Sequence, residues 1–82
     1  MGPLYDRADE ASKRIAETSQ KLRKTFLRSA EVLEASAVLA DEHAEREDQR
    51  GHTEAAAAER SSASRARGAA QRARDRAAMT DA

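Results

Sequence analysis

Large apolar residues are confined to the first half of the chain. Ile15, Leu22, Phe26 and Leu33 step by seven, four and seven positions. That spacing places them along one side of an α-helix. The same face takes in Ala8 and Ala11 upstream and Ala37, Ala40 and Ala44 downstream. Leu27, Val38 and Leu39 lie off this line and widen the apolar surface between Phe26 and Leu39. From Ala40 to Ala78 there is no large apolar residue at all; every position is Ala, Gly, Ser, Thr, Gln, His or charged. In this second half the one consistent stripe is alanine: Ala63, Ala66, Ala70, Ala73 and Ala77. Alanine stripes let helices approach closely but bury little area.

The punctuation agrees with two helices. Pro3 suits a helix start, and Asp6, Asp9 and Glu10 complement the positive end of its dipole. Good helix formers then run without a strong breaker to Gly51. Gly51 can take the left-handed conformation that ends a helix, with Thr53 as cap of the next and Glu54 in its first turn. The expected fold is all-α without β-structure: a lead-in at 1–3, a long amphipathic helix over 4–50, a turn at 51–53, an Ala/Arg-rich helix over 54–78 and a frayed end at 79–82. Helical hairpin and coiled-coil-like arrangements both satisfy the pattern, although Ser19, Ser29 and Ser36 interrupt an ideal coiled-coil seam. A helix running straight through Gly51 is the alternative.

Charge changes this picture more than composition does. The net charge is zero, from 15 basic and 15 acidic residues, but they fall in blocks. Residues 13–28 are basic, residues 31–48 are acidic, and residues 60–76 carry Arg60, Arg65, Arg67, Arg72, Arg74 and Arg76. Folding back at Gly51 sets the acidic block beside the last basic one; an antiparallel staggered dimer pairs the first two. Exposed pairs are weak and salt-sensitive, so blocks of this kind select orientation and register. On the Ile15–Leu33 helix face, Glu31, Glu34, Asp41 and Glu45 are expected to point away from the seam.

Candidate chemistry is sparse. The three glycines are isolated, so no phosphate-cradling loop is present. Asp41-Glu42 and Glu47-Asp48 read as a solvated acidic face. His43 and Glu47 stand four apart on a helix, yet two ligands do not make a metal site and no HEXXH motif occurs. There is no cysteine, and no apolar run approaches the ~18 residues of a membrane-spanning helix. MGPLYDRADE has no basic region leading into an apolar one, as a secretory signal does, so a cytoplasmic protein is expected.

The expectation is therefore a non-enzymatic association module without a cofactor. It works through Ile15, Leu22, Phe26, Leu27, Leu33, Val38 and Leu39, with another copy or another helical protein as partner. The alternative is a nucleic-acid-associated accessory protein in which Arg60–Arg76 meets phosphates. Tyr5 and Phe26 are the only aromatics, and neither is near that segment, so no base-stacking platform accompanies it. Two weaker readings are membrane-surface binding by residues 13–28 and a chain that becomes fully helical only on a partner.

Overall fold

The computed structural model describes residues 3–80. Helix α1 runs from Pro3 to Gln49 and helix α2 from Thr53 to Thr80, and α2 folds back along α1 as a helical hairpin. The hairpin is a rod, 75 × 14 × 11 Å.

Gly51 makes the reversal. Its φ of +79° lies in the left-handed region, which side chains with a Cβ enter only at a cost. The amide of Gly51 donates to the carbonyl of Asp48 at 3.0 Å, and that of His52 to the carbonyl of Glu47 at 2.8 Å. These two bonds are the Schellman motif, and they satisfy carbonyls that the end of α1 would otherwise leave unpaired. Where that motif often carries an apolar contact, this chain has a polar one, with His52 Nδ1 2.5 Å from Glu47 Oε2. Thr53, expected to cap α2, is instead its first residue; the His52 carbonyl accepts the first helical bond, from Ala56.

The core is alanine throughout. Ala30, Ala37 and Ala44 of α1 and Ala56, Ala63, Ala70 and Ala77 of α2 are buried, each series at seven-residue spacing, joined by Ala40 and Ala73. Ala30 packs with Ala70 and Ala73, and Leu33 lies against them. One heptad nearer the turn, Ala37 and Ala40 meet Ala63, with Ala66 alongside. Seven-residue repeats on both helices keep one face of each turned to the other.

The lengths are unequal. At 1.5 Å per residue α1 is about 70 Å long and α2 about 42 Å. Thr80 comes to rest in a hollow with Ser19 and Arg23. Among the described residues, no helix faces α1 over positions 3–18, which form a single-helix stalk.

Candidate association surface

The seam does not follow the largest side chains. Phe26 and Leu33 are half-buried at its edge, whereas Ile15 and Leu22 are exposed, 68% and 47%. The single apolar face expected from Ile15 to Leu33 is thus divided. Ala37, Ala40 and Ala44 do join Phe26 and Leu33 on the seam, but Ile15 and Leu22 do not. The cause lies in α2. It presents only alanine, so the helices settle where alanine meets alanine and their backbones come closest.

This rotation reassigns the acids. Glu34 and Asp41, expected to point away from the seam, flank it. Arg74 Nη1 donates to Glu34 Oε1 at 2.9 Å, Arg67 pairs with Asp41, and Arg60 pairs with Asp48. Both partners repeat every seven residues, so the three pairs form a ladder along one side of the hairpin. The hydrogen bond and charge of Asp48 hold Arg60 above its ordinary pKa, with Asp41 and Glu45 contributing. All three pairs are partly exposed, so each contributes modestly and together they fix register. The signal was available in the sequence as two matching seven-residue series, Glu34/Asp41/Asp48 and Arg60/Arg67/Arg74.

The arginines of α2 therefore divide into two sets. Arg60, Arg67 and Arg74 engage carboxylates of α1. Arg65 donates to Ser62 Oγ at 3.2 Å and, with Arg72 and Arg76, remains on the exposed outer side. Glu47 is engaged at the turn by His52 and by Arg50, whose Nη1 lies 3.4 Å away. Among the described residues no three His, Cys, Asp or Glu side chains gather as a metal site, so His43 and Glu47 gain no third ligand. Nor is any described helix long and apolar enough to cross a membrane. The surface hollows are shallow grooves between side chains, such as the one along Lys21, Thr25 and Val32.

A second line appears on α1 once the seam is identified. Ala8, Ala11, Ile15, Thr18, Leu22, Thr25, Ser29, Val32, Ser36, Leu39 and His43 follow one another in alternating steps of three and four. None carries a fixed charge, and all are exposed. Val32 and Leu39 are 61% and 56% exposed. Thr25 turns its hydroxyl back onto the carbonyl of Lys21 at 2.9 Å, which satisfies that polar group within the helix. The line lies about a quarter-turn around α1 from the seam, at 100° per residue. Sequence reasoning left Val32 out of the candidate surface and merged this line with the seam. Leu27 and Val38, also exposed, lie off it, Leu27 on the side of the ion-pair ladder.

No protein-family model, curated protein or solved structure matches this chain.

Proposed function

We propose that this chain is a helical association module that acts by binding, through the exposed line Ile15, Leu22, Val32 and Leu39 on α1. One observation carries the reading. An uncharged heptad line runs from Ala8 to His43 on a helix otherwise rich in charge, and no described element covers it. Four large apolar side chains held in water at such spacing match what a second helix buries. Exposed apolar residues scattered singly need no explanation; a line in register along 36 positions does.

The nucleic-acid reading is the alternative. It retains Arg65, Arg72 and Arg76, because Arg60, Arg67 and Arg74 already hold carboxylates that compete with phosphate.

Light scattering on the full chain and on the Leu22→Glu/Leu39→Glu variant tests the proposal. The unmodified chain is expected to assemble with rising concentration, and the variant to remain at single-chain mass with its helix content kept. A variant that assembles as before would assign association to another surface.

A further inference from the structure

We infer that the partner on this line is a second copy of the chain, packed antiparallel along α1, with Ile15 facing the partner's Leu39 and Leu22 facing the partner's Val32. The inference rests on the association reading above and adds partner, orientation and register.

Charge sets the orientation. Residues 7–28 of α1 hold seven basic and three acidic side chains; residues 31–48 hold seven acidic and one basic. Glu34, Asp41, Glu47 and Asp48 are engaged within the hairpin, so Glu31, Glu42 and Glu45 are the acids that meet the partner's basic block. A parallel pair of α1 helices lays like block against like. An antiparallel pair lays the basic stalk of each copy along the acidic part of the other.

Apolar matching sets the register. In antiparallel helix pairs, facing positions advance along one chain as they retreat along the other. One alignment puts Ile15 opposite the partner's Leu39 and, seven residues on, Leu22 opposite the partner's Val32; symmetry repeats both contacts. The layers between are small, Ser29 with the partner's Thr25 and Ser36 with the partner's Thr18. Sliding by one heptad either way halves the match. One slide keeps Ile15 opposite the partner's Val32 but sets Leu39 against the partner's Ala8; the other keeps Leu22 opposite the partner's Leu39 but sets Ile15 against the partner's Arg46. At the flank of the favoured alignment Arg14 comes beside the partner's Glu42, a complementary pair. Arg28 comes beside the partner's Arg28 near the symmetry axis, an opposed pair that added salt relieves locally.

The same alignment overlaps the two α1 helices along almost their whole described length, so each stalk lies along the two-helix part of the other hairpin. The approach is from the side away from the ion-pair ladder. Ser29, Ser36, Ser62 and Ala69 are small there, and leave room beside the seam.

Cysteine cross-linking reads the register directly, because the chain contains no cysteine. In the Leu22→Cys/Val32→Cys variant the two positions are about 15 Å apart along one helix, too far for an internal disulfide. Mild oxidation is expected to double the mass on a non-reducing gel, with peptide 22 joined to peptide 32. Leu22→Cys alone is expected to give almost no covalent dimer. Efficient cross-linking of Leu22→Cys alone, or a dimer by light scattering in which 22 and 32 fail to join, overturns the register and leaves the association reading standing. A chain that stays at single-chain mass at every concentration overturns both.

Discussion

Arg74 reaches across the hairpin to Glu34, Nη1 to Oε1 at 2.9 Å, although forty residues separate them in the chain. It is the outermost rung of a ladder whose others are Arg67 with Asp41 and Arg60 with Asp48. Because the alanine seam buries little area, side-by-side register depends on these rungs more than it would in a leucine-lined hairpin.

The hairpin is therefore expected to lose stability as salt rises. Each exposed pair contributes about 0.2–1 kcal/mol at low ionic strength and is screened by added salt. Replacing Arg60, Arg67 and Arg74 together with Glu should lower the melting temperature further than Gln at the same positions, since like charges then face each other. Restoring complementarity with Lys at Glu34, Asp41 and Asp48 should recover most of the loss. Thermal melts followed by circular dichroism measure all three; equal melts for the Glu and Gln variants would contradict the ladder.

Crowding the seam should be costly. Ala63 is fully buried against Ala37 and Ala40, and there is no room for a longer side chain without separating the helices. Ala63→Leu is expected to cost about 1–3 kcal/mol in denaturant unfolding. Ala57→Leu, on the exposed side of α2, should change stability by less than about 0.5 kcal/mol.

Gly51 in the turn and Gly68 in α2 should respond in opposite directions. At Gly51 there is open space for a Cβ, but φ is +79°, so Gly51→Ala should destabilise by about 1–2 kcal/mol through backbone strain alone. Gly68 sits inside α2, and an added Cβ meets only Nη1 at the far end of the Arg72 side chain, at 3.4 Å. Gly68→Ala should stabilise by about 0.5–1 kcal/mol. Urea unfolding of both variants reads the two signs.

Much of the architecture was legible in the residues. Pro3, Gly51 and the alanine stripe of α2 located two helices and a reversal, and the charge blocks pointed to acid–base pairing across it. What was misplaced was the rotation of α1. Large side chains dominate any reading of periodicity, so Ile15 and Leu22 were grouped with Phe26 and Leu33. The seam obeys a different constraint. A helix with no large apolar residue before Met79 can bury its face only by close approach, and close approach selects Ala30, Ala37 and Ala44. With that choice made, Glu34 and Asp41 turn toward the arginines, and Ile15, Leu22, Val32 and Leu39 are left in water as a second line.

Amide exchange should divide α1 accordingly. In dilute protein the stalk, positions 7–18, has no facing helix among the described residues and should exchange faster than positions 26–48. Raising the concentration should slow the stalk while leaving residues 53–80 nearly unchanged. Stalk exchange independent of concentration would count against burial of Ile15 and Leu22 in an assembly.

Small-angle scattering with absolute mass calibration tests the central claim most directly. An antiparallel pair aligned along α1 doubles the 8.9 kDa mass and keeps the longest dimension close to the 75 Å of one hairpin. That combination, lost in the Leu22→Glu/Leu39→Glu variant, is the predicted result. Single-chain mass for the unmodified protein across the accessible concentration range would contradict it.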